Sequence, residues 1–218
     1  MWTTATILLG VIPIAFSATV FTLPMGRALA RIRDVAKAQV QNGRRALLRL
    51  IRMAALMGGD RNDVKVGTFV GYNHELGKED GGFAKNLEAY AKVFRPIVKY
   101  AEGLGVTIIY ENCPMEGWRP ASSPVTYNNL PATLAARKLM YALIPSPAHG
   151  ETYDPSHDAW QNTDPSEVIL RTDMARLHRV HVKGTRNLQT EARAFWGGLY
   201  PMQAVDPKLA AKAGVPVP

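Results

Sequence analysis

Glu111, Asp154 and His181 are the residues of this 218-residue chain whose types and spacing could do chemistry. Each stands at or near the end of a short run that reads as a strand: VTIIY before Glu111, ETYD for Asp154 and LHRVHVK around His181. His157 follows Asp154 by three residues. The C-terminal ends of successive parallel strands are where barrel enzymes build their active sites. A Glu, an Asp and a His converging there suit one divalent ion, with positions left open for a substrate. Each residue alone has a plainer reading. An acid after a strand is a turn or cap, Asp154-Pro155-Ser156-His157 suits an Asp-initiated turn, and a single His181 suits a hydrogen-bonded core. Their common register on consecutive strands is what favours a shared site.

The elements that must position these residues alternate along the chain. Residues 65–72 (KVGTFVGY), 106–110, 151–154 and 177–183 read as strands. Residues 83–104 carry one apolar stripe from Phe83 through Leu87, Tyr90, Phe94, Ile97, Val98 and Ala101 to Leu104, which predicts a helix. Gly105 stands where its C-terminal cap belongs, and Pro96 predicts a bend. A weaker helix is expected over 130–142. Another is expected over 164–172, where Asp164-Pro165 supplies an N-cap and a first-turn proline. The end of the chain is rich in Gly and Pro, with one short helix expected over 207–213. This alternation predicts a parallel α/β fold. His149, in SPAHG, is expected in a loop, and strand alternation puts His178 on the face opposite His181. No Gly-rich phosphate motif follows a strand, so a dinucleotide fold is unsupported.

The first quarter differs. No charged residue precedes Arg27, and residues 5–25 approach the ~20 apolar residues of a membrane span. Pro13 and Pro24 interrupt that run, and the start lacks the basic residues of a signal peptide. A buried N-terminal segment is the competing reading. As an anchor, the run would leave the body in the cytoplasm, because the basic residues follow it. Residues 27–57 show helical spacing in two stretches, with a break expected at Gln41-Asn42-Gly43.

Composition narrows the class. Hydrophobic residues at 47% and charged residues at 20% exclude a disordered chain. A single cysteine, Cys113, excludes a disulfide scaffold. The net charge of +8 gathers in residues 1–60, which hold eight Lys/Arg against two Asp/Glu, while the remainder holds eighteen against sixteen. With the basic balance outside the nearly neutral body, the net charge does not argue for a nucleic-acid groove there.

Five stretches in order, GTFVGY (67–72), YAEGLGV (100–106), ENCPMEGW (111–118), YDPSH (153–157) and HRVHVKGT (178–185), resemble the sugar phosphate isomerase/epimerase family of the xylose isomerase-like TIM barrel superfamily. The resemblance covers about residues 66–185. It implies a (β/α)8 barrel and a divalent ion (manganese, magnesium, zinc or cobalt) held by Glu111, Asp154 and His181, with a fourth ligand, a Glu, on the last strand. It further implies that His157 contacts substrate, that Glu116 is a second carboxylate of the site, and that Lys183 matches a lysine common two residues after the ligand histidine. Gly184 stands where the family often has Asp. The implied reaction is isomerisation or epimerisation of a sugar or polyol, by proton transfer beside a carbonyl through an enediolate.

The barrel reads as incomplete. Residues 1–63 form an atypical N-terminal segment, residues 64–218 a partial barrel, and the first and last strands are missing or atypical. After His181 the acids are Glu191 and Asp206, neither on an apparent strand. The expectation is a weakly active or inactive fragment of a longer enzyme, in the cytoplasm or membrane-anchored with a cytoplasmic body, able to form a homo-oligomer and without a nucleic-acid partner. Two alternatives remain open: a structural or membrane-tethered remnant, and an apurinic-endonuclease-like phosphodiesterase, which needs more histidines than His74, His149, His157, His178 and His181. Trp118, Trp160 and Trp196 read as buried aromatics or as the wall of a sugar pocket.

Overall fold

The computed structural model describes residues 25–58, 63–115 and 127–183, together with the backbone at 211; side chains are described from residue 38 onward. Among these residues four strands form one parallel sheet in the order β1 (Val64–Thr68), β2 (Val106–Glu111), β3 (His149–Tyr153) and β4 (Leu177–Val180). Each strand pairs with its neighbour in sequence, and helices fill the crossovers. That is the succession of a (β/α)8 barrel. The helices are α1 (Met25–Gly58), α2 (His74–Gly77), α3 (Gly82–Gly103), α4 (Leu134–Leu143), α5 (Pro155–Trp160) and α6 (Pro165–Arg171), with a 3-10 turn at Leu130–Ala132.

The core lies between the sheet and its helices. Ile97, Val98 and Ala101 of α3, Ile51 of α1 and Met140 of α4 pack on Val106, Ile108 and Tyr110 of β2, all essentially buried. Of the stripe expected on α3, Leu87, Tyr90, Phe94, Ile97, Val98 and Ala101 are buried, while Phe83 is half-buried and Leu104 is exposed. The helix continues through Pro96 and ends where Gly105 takes a φ of 66°, a left-handed conformation that costs glycine little.

Several boundaries differ from expectation for identifiable reasons. α1 is continuous through Gln41-Asn42-Gly43, with Asn42 accepting from the Arg45 guanidinium. A glycine inside an exposed helix costs only ~1 kcal/mol, which does not suffice to end it. β1 stops at Thr68 because the N–H groups of Val70 and Gly71 donate to the Asn129 side chain instead of a neighbouring strand. The segment expected as one helix over 130–142 divides at Thr133, which is extended and caps α4 by accepting from Ala136 N–H. His149 is not in a loop: it is the first residue of β3, fully buried, and bonds the Ile144 carbonyl through Nε2 at 2.6 Å while Tyr90 donates to its Nδ1 at 3.3 Å. Burial pushes its pKa down to about 4, so the ring is neutral.

One irregularity decides which way β4 faces. Glu151 pairs with Leu177 but Thr152 pairs with Arg179, so His178 is an extra residue in β4. A one-residue bulge exchanges the faces of everything beyond it. Without it, Val180 would stand beside Asp154; with it, Val180 pairs with Tyr153 and His181 comes next, its N–H donating to the Tyr153 carbonyl at 2.8 Å. The bulge also overturns the expected orientation of His178. Its ring covers Gly150, on the face shared by Thr152 and Asp154, and a side chain at Gly150 would collide with it.

No helix among the described residues is long and apolar enough to cross a membrane. The apolar run in 5–25 and the helix expected over 207–213 lie outside the described residues, apart from Met25 at the start of α1 and the helical backbone at 211.

Candidate functional site

At the C-terminal edge of the sheet, β2 ends on Glu111 and β3 is followed by Asp154. Asp154 caps α5, with Oδ1 accepting from Ser156 N–H at 2.9 Å and from the Ser156 hydroxyl at 2.5 Å. Pro155 occupies the first helical turn, where its missing N–H is no loss. The cap commits one oxygen and leaves Oδ2 for the site. The first turn of α5 carries His157 back beside its own cap residue, as i, i+3 geometry requires.

The result is a tight cluster. His157 Nε2 lies 3.3 Å from Glu111 Oε1 and 3.4 Å from Asp154 Oδ2. His181 Nδ1 lies 3.8 Å and 4.0 Å from the same two oxygens, and Lys183 Nζ lies 3.4 Å from Asp154 Oδ2. Each of Glu111, Asp154 and His157 offers a ligand atom, all within 4.8 Å of one another. Asp154 and His157 are buried, whereas Glu111 and His181 keep 23% and 41% of their side chains exposed, so an incoming molecule can reach them.

Electrostatics follow the geometry. Burial alone would lower the His157 pKa, but its hydrogen bonds to Cys113 and Glu111, together with the nearby Asp154 carboxylate, raise it to about 9. Burial likewise opposes ionisation of Asp154, yet the Ser156 hydroxyl, His157, the Ser156 N–H and Lys183 together hold its carboxyl below the usual value. The ion-free cluster therefore holds an ionised Asp154 against an imidazolium. Lys183 also lies 4.8 Å from the centre of the Trp160 ring, and Trp160 meets His157 edge-on at 4.6 Å.

The structure brings together Glu111, Asp154, His157, His181 and Lys183. Glu116, Glu191, Trp118 and Trp196 lie outside the described residues. His74 is elsewhere, with Nε2 2.9 Å from Asn128 Oδ1.

Sequence reasoning missed the residues that hold the cluster in place. Asn112, fully buried, accepts from Asp154 N–H at 2.8 Å and donates to the Asp154 carbonyl at 3.0 Å, so the residue after Glu111 is tied to Asp154 at both backbone groups. Asn129, also fully buried, donates to the carbonyls of Glu111 at 2.9 Å and Cys113 at 2.8 Å. Its oxygen takes the N–H groups of Val70 and Gly71, joining the ends of β1 and β2. Cys113 itself sits against His157. α5 was also missed, although Asp154-Pro155-Ser156 carries the same cap signal as Asp164-Pro165-Ser166.

A comparison with curated protein sequences finds no match. Among solved structures, a D-tagatose 3-epimerase-like protein superposes with a TM-score of 0.50 at 23% identity, over 70% of this chain and 50% of the other. The apo form of 3-keto-D-glucoside 4-epimerase from E. coli superposes with a TM-score of 0.51 at 14% identity, over 81% of this chain and 70% of the other. This chain thus spans half the length of the first of these structures, and at such identities the likeness speaks for the fold. The sequence profile of the xylose isomerase-like TIM barrel family matches residues 15–212. With nearly the whole chain matched and the parallel strand succession in place, the protein belongs to the xylose isomerase-like TIM barrel family.

Proposed function

We propose that the protein is a metal-dependent sugar or sugar-phosphate isomerase or epimerase that moves a proton beside a carbonyl, by way of an enediolate. The observation that carries this reading is the convergence of Glu111, Asp154, His157 and His181 within hydrogen-bonding or near-contact distance at the C-terminal ends of consecutive parallel strands. The donor set fits a divalent ion such as manganese, magnesium, zinc or cobalt. Carboxylate oxygens and imidazole nitrogens are its usual ligands, and the 3.8 and 4.0 Å from His181 Nδ1 to Glu111 Oε1 and Asp154 Oδ2 suit atoms sharing one ion at about 2.0–2.3 Å each. In this reading Glu111, Asp154 and His181 are the ligands. Such an ion, when bound, supplies Lewis acidity to a sugar carbonyl and the hydroxyl beside it.

The chain's own groups divide the remaining work. The Glu111 carboxylate, partly exposed, takes the proton from the carbon next to the carbonyl and returns it. The buried His157 ring serves as a donor to a substrate oxygen, and Lys183 sets a positive charge beside Asp154. Glu116 is the candidate for a further carboxylate. The two superposed structures, a D-tagatose 3-epimerase-like protein and a 3-keto-D-glucoside 4-epimerase, accord with this reading. An epimerase acting on both faces of a carbon needs a second acid/base opposite Glu111.

The test is solvent exchange rather than turnover, because exchange registers proton abstraction even where product is scarce. The protein with added Mn2+ is incubated in D2O with ketopentoses, ketohexoses and their phosphates, and deuterium beside the carbonyl is read by mass spectrometry. Uptake that disappears in Asp154→Asn supports the proposal. A Mn2+-loaded protein that exchanges none of the panel overturns it.

A further inference from the structure

Arg137 is fully buried, on α4, and lies outside the cluster just described. Its Nε stands 2.5 Å from Glu151 Oε2, itself 1% exposed, and its Nη1 donates to the Pro131 carbonyl at 3.1 Å. Glu151 belongs to β3, on the face turned toward α4 and opposite to that of Thr152 and Asp154. Asp158, a buried residue of α5, sits beside the Tyr153 hydroxyl. Arg137 thus joins β3, three residues before Asp154, to the turn at Leu130–Ala132. A second tie runs the same way: Gln161 Nε2 donates to the Ala132 carbonyl at 3.2 Å and to the His157 carbonyl at 3.1 Å. Burying charge is expensive, and apolar residues of similar size often pack as well.

We propose that Arg137 is a positioning residue: by holding Glu151 to the Leu130–Ala132 turn, to which Gln161 also ties the His157 carbonyl, it fixes the segment that presents Asp154 and His157 to the site. The metal readout of this inference rests on the function proposed above; its second readout does not. Outer residues that orient ligands commonly change metal affinity by ~10–100-fold when removed.

The experiment compares the full-length protein with Arg137→Met, Arg137→Lys and the double variant Arg137→Met/Glu151→Gln, which leaves no full buried charge on Glu151. Circular dichroism establishes folding, and Met140→Ala serves as a variant destabilised in the same helix without loss of charge. Co2+ titration reads affinity and, through the visible spectrum, ligand geometry. Proton–nitrogen NMR of the metal-free protein reads the His157 imidazole and the Trp160 indole. The expected result is Co2+ binding weakened ~10–100-fold in Arg137→Met and in the double variant. An altered spectrum, shifted His157 signals, partial recovery in Arg137→Lys and no such change in Met140→Ala complete the expectation. A folded double variant with unaltered affinity, spectrum and His157 signals overturns it. Should the parent protein and Asp154→Asn bind Co2+ equally poorly, the proposed function fails. The metal-free His157 signals then decide the role of Arg137 by themselves: shifted in its favour, unshifted against it.

Discussion

The chain contains Asp-Pro-Ser twice, at 154–156 and 164–166, and folds it the same way both times. In each case the aspartate caps a short helix, Oδ1 accepts from the serine N–H at 2.9 Å, and the serine hydroxyl bonds the same oxygen, at 2.5 Å for Ser156 and 2.6 Å for Ser166. Both carboxyls are held below their usual pKa. For Asp164 the Ser166 hydroxyl is the main cause, while for Asp154 Ser156, His157 and Lys183 together outweigh burial. The difference lies in the second oxygen. Asp154 Oδ2 faces His157, Lys183 and His181, because the motif directly follows β3 with β2 and β4 on either side. Asp164 follows a turn at the surface, and among the described residues its carboxylate serves its cap alone. One local device is thus structural in one place and part of a site in the other, and its place in the sheet decides which.

Replacing Asp154 should break this comparison most severely. Asp154→Asn keeps an oxygen for the Ser156 cap but offers a neutral amide to the site. Mn2+ or Co2+ affinity should fall at least ~100-fold, with loss of solvent exchange at the substrate carbon. Isothermal titration calorimetry checks the first and mass spectrometry the second. Glu111→Gln should behave alike, since both carboxylates face the same two imidazoles.

Asn112 comes next. Asn112→Ala leaves the Asp154 N–H and carbonyl without their buried partner. An unsatisfied buried group costs about 1–3 kcal/mol, and the carboxylate should lose its alignment as well. Urea denaturation should report destabilisation of that order, and Co2+ titration a weaker site. Wild-type metal affinity in a destabilised Asn112→Ala would separate the amide from the site and confine it to the fold.

These cases also show what could be read from sequence. Glu111, Asp154 and His181 were legible because strands announce themselves by apolar runs and their ends are where a polar residue stands out. The parallel α/β layout was legible for the same reason. Asn112 and Asn129 were not, since their partners are 42 and up to 59 residues away and an asparagine near a turn has no distinguishing local pattern. His149 was placed in a loop because prolines flank its segment, while the bonds from Tyr90 and to Ile144 that draw it into β3 are tertiary. The bulge at His178 has no residue signature either, yet it determines that His181 rather than Val180 stands beside Asp154. Arg137 carries no local mark of its role either, since its pairing with Glu151 is set by the packing of α4 on β3.

pH should sharpen the comparison by acting on one turn alone. The His157 pKa is raised from 6.5 to about 9, so its pairing with Glu111 and Asp154 stabilises the metal-free fold fully below about 6.5 and is lost as pH rises through about 9. His149 has the opposite sign. Its pKa is lowered to about 4, so its contribution is complete above 6.5 and is lost as pH falls toward 4. NMR titration of the metal-free protein should find the two midpoints on opposite sides of neutrality. A His157 midpoint near 6.5 would mean that the cluster around Asp154 does not form.

The smallest effect is expected at Asp164. Asp164→Asn retains the oxygen that accepts from Ser166, and asparagine caps helices about as well as aspartate. What disappears is one negative charge at the start of a seven-residue helix, in full contact with solvent. Thermal denaturation should scarcely register the change, and Co2+ affinity and the His157 midpoint should stay at their parent values. The contrast with Asp154→Asn, the same substitution in the same tripeptide with the same cap, isolates what Oδ2 contributes. If Asp164→Asn weakened Co2+ binding as much as Asp154→Asn, the ion would be responding to the chain's overall charge and not to the groups gathered at the ends of β2, β3 and β4.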